Sequence, residues 1–125
     1  MRINSSLIRW PLVILGLSLL AFLIGGLMPS PVRAAIEQRM NLPFSVPPVA
    51  HLVLCAVMTA TLRWWLSAWH AGVILMIVLL IGGVAEIGQH WIPNRTPDLR
   101  DMGLNLAGGL LGLLVMSAGR RYSAR

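Results

Sequence analysis

Glu86, Asp98 and Asp101 are three of only four acidic side chains in 125 residues, and all three fall within EIGQHWIPNRTPDLRDMGLN, residues 86–105. The same stretch carries Gln89, His90, Asn94, Arg95, Arg100 and Asn105, and strongly apolar runs flank it. Side chains of these types can pair as ions, hold an anionic group through charge-assisted hydrogen bonds, or supply a general base. The remaining acid, Glu37, lies among Arg33 and Arg39 and reads as part of a solvated interfacial face.

Glu86 carries the sharpest question. It precedes Pro93 by seven residues, roughly 10 Å of helix at ~1.5 Å per residue. A lone charge near mid-bilayer costs about 2.5–3.5 kcal/mol or more, so an ionisable group in an apolar helix should face the interior of a bundle. Helical spacing puts Gly82, Glu86 and Gln89 on one face, and Asp101, Asn105, Gly108 and Gly112 on one face of the next helix. A hairpin through PNRTP brings the two faces together, and His51 enters from the same side, near the start of an earlier apolar run. Thr96-Pro97 reads as a helix start, with Thr as N-cap and Pro at the first helical position. Asp98 and Asp101 then sit where the helix dipole favours negative charge. His70 and His90 read as boundary residues.

The elements that must position these groups are membrane spans. The chain is 57% hydrophobic and 11% charged, with a mean hydropathy of +0.77, whereas about a quarter of the residues in a soluble domain are charged. A span needs roughly 20 apolar residues, and apolar runs cover about 11–28, 49–67, 71–91 and 98–119. The expected fold is therefore all-α, a polytopic four-transmembrane-helix bundle forming a single domain over 1–125. The first run has an 18-residue apolar core, longer than the ~7–15 of a secretory leader, and is expected to be retained. Residues 29–48 hold five of the eight prolines and read as a loop with a short helix through AAIEQRM. Arg63, Trp64, Trp65 and Trp69 mark a membrane–water boundary. Gly108 and Gly112, four residues apart with Gly109 between, permit close backbone approach, either within the bundle or in a homo-oligomer through the fourth span.

All ten basic residues are Arg, and they sit dispersed at the ends of apolar runs. That dispersal excludes the clustered footprint of a nucleic-acid binder. Arg2, Arg9, Arg63, Arg120, Arg121 and Arg125 fall on the side of the termini, and Arg33, Arg39, Arg95 and Arg100 on the other. The excess favours cytoplasmic termini and an outward-facing polar site.

Cys55 is the one cysteine, inside an apolar run, so neither an intrachain disulfide nor a cysteine metal site is available. No HExxH, P-loop or G-x-S-x-G pattern occurs, and no cofactor is expected. One His with Asp98 and Asp101 is a weak donor set, and no metal is expected from it. Asn4-Ser5-Ser6 and Asn94-Arg95-Thr96 match the glycosylation acceptor pattern at a length expected by chance.

AEIGQHWIPNRTPDLRDMGLNLAGGLLG, residues 85–112, resembles the signature of VanZ-like membrane proteins. In that family a Glu and a Gln close one helix, a Pro-x-Arg turn follows, and an Asp…Asn…Gly…Gly run opens the next. The matching positions are Glu86, Gln89, Pro93, Arg95, Asp98, Asp101, Asn105, Gly108 and Gly112, and His51 matches a His at the start of the preceding span. The lysine usual near that His is missing from PPVAH. The resemblance implies the four-span layout and a link to the cell envelope, since the family is named for a protein associated with teicoplanin resistance.

The expected function is an outward-facing polar pocket of His51, Glu86, Gln89, Arg95, Asp98, Arg100, Asp101 and Asn105. Arg95 and Arg100 would hold an anionic lipid or envelope precursor, and Asp101, Asn105, Gln89 and Glu86 would position those arginines or read the ligand's hydroxyl or amide groups. One alternative is an enzyme on a lipid-linked phosphate, with Glu86 or His51 as base; no nucleophile with an activating base accompanies it, which favours a binder. Another is a structural assembly protein.

Overall fold

A computed structural model describes residues 5–123. Arg2, Asn4 and Arg125 lie outside the described residues. The chain forms five helices: α1 (Ser5–Leu27), α2 (Ser30–Met40), α3 (Val46–Trp65), α4 (Ala71–Gln89) and α5 (Leu99–Ser123). There is no strand among the described residues. Helices α1, α3, α4 and α5 are long and apolar enough to cross a membrane, giving the four-helix membrane bundle that the hydropathy demands. Helix α3 is central, packing against α1, α4 and α5.

The burial pattern is that of a protein dissolved in lipid. Val84 and Ile87 are 67% and 62% exposed, whereas Glu86 between them is 5% exposed. Ser18, His51, Thr59, Thr61, Gln89 and Asn105 are buried too. Apolar surface gains nothing by leaving a hydrocarbon solvent, so packing and interhelical hydrogen bonds hold such a bundle together. The apolar core is correspondingly small: Phe22, Cys55, Met58, Leu62, Ile74, Val78 and Ala85. On α3 the buried residues His51, Cys55, Met58, Thr59 and Leu62 form one helical stripe, with Thr61 buried beside it.

Helix ends depart from the hydropathy boundaries for identifiable reasons. Helix α1 begins at Ser5, six residues before the apolar run, and accommodates Pro11 inside it. Helix α3 starts at Val46, ahead of Pro47 and Pro48; first-turn amides have no intrahelical acceptor, so proline forfeits nothing there. Helix α2 is longer than AAIEQRM, opening at Ser30 and closing at Asn41, which adopts the left-handed conformation at φ 47°. It has no buried residue, but its Glu37 is not merely solvated. Glu37 Oε1 accepts the Val46 amide at 3.2 Å, placing a carboxylate at the positive end of α3.

The N-terminus of α5 corrects the sequence reading. Thr96 is not its cap. The helix opens at Leu99, and Asp98 Oδ1 accepts the Arg100 amide at 2.8 Å, the N-cap bond. Both residue types cap well, and the choice follows from the Asp98 amide being held elsewhere, by Glu86.

Gly108 and Gly112 turn toward α3. A Cβ at Gly108 would collide with the Leu52 carbonyl oxygen, and one at Gly112 with the Ala56 carbonyl oxygen. The small-residue stripe thus seats α5 directly on the α3 backbone.

Candidate functional site

Asn105 organises the polar interior. It is fully buried, and its carboxamide lies over Gly82 of α4, where a Cβ would come within 2.5 Å of Nδ2. Only glycine at that position leaves room for it. Asn105 Oδ1 accepts from His51 Nδ1 at 2.8 Å and from the Cys55 thiol at 3.3 Å. Two donors of α3 therefore converge on one oxygen of α5, and Nδ2 points toward Met102 Sδ at 3.9 Å. The Phe22 ring of α1 packs edge-on against His51, with centroids 5.3 Å apart.

The other face of His51 meets the acids. Its Nε2 lies 3.3 Å from Asp101 Oδ2. Glu86 joins from α4, and one ligand atom each from His51, Glu86 and Asp101 lie within 4.8 Å of one another. Glu86 is itself held twice: Oε1 accepts from Gln89 Nε2 at 3.3 Å, and Oε2 accepts the Asp98 amide at 3.0 Å. The second bond ties the end of α4 to the start of α5.

The arginines behave differently from the expectation. Asp101, Asn105, Gln89 and Glu86 do not hold them through hydrogen bonds. Instead, Arg95 Nη2 donates to the carbonyls of Gly26 at 2.7 Å and Gly25 at 3.3 Å. These belong to the last turn of α1, whose carbonyls lack intrahelical partners and carry partial negative charge. Arg95 therefore caps a helix, and its buried Nε has no hydrogen-bond partner among the described residues. The Arg100 side chain is exposed, and only its amide enters the network.

Burial pulls the Arg95 pKa below its ordinary value, and the neighbouring Arg33 cation adds to the shift; Asp101 and Glu86 oppose it. Arginine keeps its charge under such a shift, so two guanidiniums stand close enough to repel.

Two cavities meet at this pair. An apolar one of about 150 Å³ runs between α1, α2 and α3, lined by Phe22, Ile36, Met40 and Leu54, with Arg33, Arg95, Glu37 and His51 also on its wall. A polar recess of about 340 Å³ is lined by Ser30, Arg33, Gln89, Arg95, Asp98 and Asp101. Ser30 Oγ donates to the Asn94 carbonyl at 2.6 Å, joining α2 to the α4–α5 loop. Arg33, Glu37 and Phe22 were not singled out from sequence as site residues. The proline-rich segment around α2 carries no periodicity that would orient them.

This arrangement, with Glu86 and Gln89 ending one span and Asp98, Asp101 and Asn105 opening the next, lies inside a longer match: the VanZ/LLP1 family model covers residues 15–120. The chain belongs to the VanZ/LLP1 family. The matched region runs from α1 into α5 and contains every residue of the polar network. No curated protein and no solved structure matches the chain. This VanZ-like protein is thus a multi-pass membrane protein in which buried polar groups, which are costly in lipid, come together at one level.

Proposed function

We propose that this VanZ-family protein binds an anionic lipid or lipid-linked envelope precursor through Arg33 and Arg95. One observation carries the reading: these two cations share the boundary between an apolar cavity and a polar recess. An amphiphile has the same division. Its phosphate would sit between the Arg95 and Arg33 guanidiniums, relieving their repulsion by charge-assisted hydrogen bonds. An apolar cavity of this volume takes a group about the size of benzene, so it would grip only the first carbons of a chain that continues into the bilayer. Arg100, exposed and outside both cavities, drops out of the binding set.

The site then faces the outer side of a bacterial inner membrane, on the six-to-four arginine count that favours cytoplasmic termini. Holding envelope precursors there would change access of glycopeptides of the teicoplanin type, and expression should shift susceptibility to teicoplanin.

Native mass spectrometry of the protein from detergent, with phosphatidylglycerol and undecaprenyl phosphate offered in competition, tests the binding. Arg33→Gln should lower retention of the anionic lipid at least about tenfold, the loss of one charge-assisted contact of ~1.5 kcal/mol or more. Since Arg33 makes no helix cap, the variant should melt as the parent does. Equal retention by parent and Arg33→Gln would overturn the reading.

A further inference from the structure

We propose that His51, Glu86 and Asp101 form a site for a first-row divalent cation, with Mn²⁺ and Zn²⁺ as its natural probes. The sequence suggested only a weak donor set of His51, Asp98 and Asp101. Folding replaces Asp98 with Glu86, since the Asp98 carboxylate caps α5, and the resulting set is buried and convergent.

The argument begins at Asn105. Its Oδ1 receives the Cys55 thiol and His51 Nδ1 together. A thiol acts here as donor, which fixes the oxygen on that side of the carboxamide, and an oxygen can only accept. His51 Nδ1 therefore carries its proton, and in the neutral ring Nε2 presents a lone pair. That lone pair faces Asp101 Oδ2 at 3.3 Å, with Glu86 beside them. With that ring neutral, three acceptor atoms point at one another from three helices, α3, α4 and α5. Lone pairs so arranged repel unless positive charge stands among them. Arg95 does not supply it by direct contact, because its Nη2 is turned to the α1 carbonyls.

A divalent ion fits the requirement in charge and in reach. It would exactly offset two carboxylates, leaving a neutral cluster, the form that a low-dielectric interior tolerates best. Metal–ligand bonds of about 2.0–2.2 Å set donor atoms about 3–3.5 Å apart, so separations within 4.8 Å close by small side-chain rotations. The supporting shell is already built. Asn105 orients the imidazole through its second nitrogen, and Gln89 and the Asp98 amide each take one lone pair of Glu86, leaving others free. One imidazole with two carboxylates suits Mn²⁺, Fe²⁺ or Zn²⁺ better than Mg²⁺ or Ca²⁺, which take oxygen ligands. Asp101 and Gln89 line the polar recess, which gives the ion a path in.

The test uses the full chain in detergent, stripped with EDTA and titrated with MnCl₂ or ZnCl₂ by calorimetry. The expected result is one ion per chain, with Asp101→Asn weakening binding by at least about 100-fold and Asn105→Ser by about 10–100-fold. His70→Gln, an exposed imidazole outside the cluster, should leave the affinity unchanged. Pulsed EPR of the Mn²⁺-loaded parent needs no variant and should show coupling to a single imidazole nitrogen. No stoichiometric ion, no imidazole coupling, or an Asp101→Asn variant that binds like the parent would each overturn the proposal; the acceptors would then share a proton. The inference stands apart from lipid binding: EDTA-treated protein should keep its anionic lipid, and Arg33→Gln should keep its metal.

Discussion

Replacing Gly108 with alanine adds one methyl group to α5, and the structure assigns it a definite penalty. The new Cβ would collide with the Leu52 carbonyl oxygen, with the Leu52 carbonyl carbon at 3.0 Å and Cys55 Cβ at 3.1 Å. The first two atoms are backbone, so no side chain can rotate away, and α5 must lift from α3. Overpacking of this kind costs about 1–3 kcal/mol, with rigid surroundings giving the upper part of that range. Alanine also recovers about 1 kcal/mol of helix propensity over glycine. The net expectation is a loss of about 1–2 kcal/mol. Gly103, five residues earlier on the same helix, has nothing within 4 Å of its would-be Cβ. Gly103→Ala should therefore keep the propensity gain, up to ~1 kcal/mol. Reversible unfolding in SDS, followed by tryptophan fluorescence or circular dichroism, measures both variants against the parent. If Gly108→Ala proves as stable as Gly103→Ala, α5 does not rest on the α3 backbone and the close packing described above is wrong.

Two further perturbations probe the polar network. Asn105→Leu removes the acceptor shared by His51 Nδ1 and Cys55 and should cost about 1–2 kcal/mol; a double-mutant cycle with His51→Ala that proves additive within ~0.3 kcal/mol would argue against the bond. Arg95→Gln withdraws the cation from the last turn of α1, so hydrogen exchange should quicken around residues 25–27 and in the α4–α5 loop while α3 is unaffected.

The bundle was legible in the sequence because a lipid solvent imposes long apolar runs, and Glu86 was legible because its burial is too costly to be incidental. Helical periodicity also sufficed to group Glu86 with Gln89 and Asp101 with Asn105, since each pair lies on one helix. What sequence could not reach was the pairing of side chains with backbone. Arg95 bonds the carbonyls of Gly25 and Gly26, and a carbonyl leaves no residue-type signature. Residue type alone therefore points the arginine at an anionic ligand, whereas its Nη2 is turned to the end of α1. Arg33 and Glu37 stayed hidden because α2 lies between prolines and buries no residue, so no apolar face announces its orientation. Thr96 and Asp98 are both competent caps; the contest is decided by Glu86, twelve residues upstream of Asp98.

Glu86 is thus asked to do two things, and an exchange of side chains separates them. Its Oε2 takes the Asp98 amide and its Oε1 takes Gln89 Nε2. Glu86→Gln leaves one acceptor at 86 for two donors, so Gln89 must turn its own carboxamide to accept the new N–H, and losing the charged acceptor should cost about 1–2 kcal/mol at a buried position. Adding Gln89→Glu restores the complement: the carboxamide oxygen at 86 can accept the Asp98 amide, and its nitrogen can donate to the new carboxylate at 89. The exchanged protein should therefore regain most of the stability lost by Glu86→Gln in SDS unfolding. It should not regain the metal affinity, because the carboxylate has left the atoms facing His51 Nε2 and Asp101 Oδ2. Recovery of stability without recovery of metal binding would divide the anchoring of α5 from ion coordination at a single residue. An exchange no more stable than Glu86→Gln alone would show that the two hydrogen bonds to Glu86 are not what ties α4 to α5.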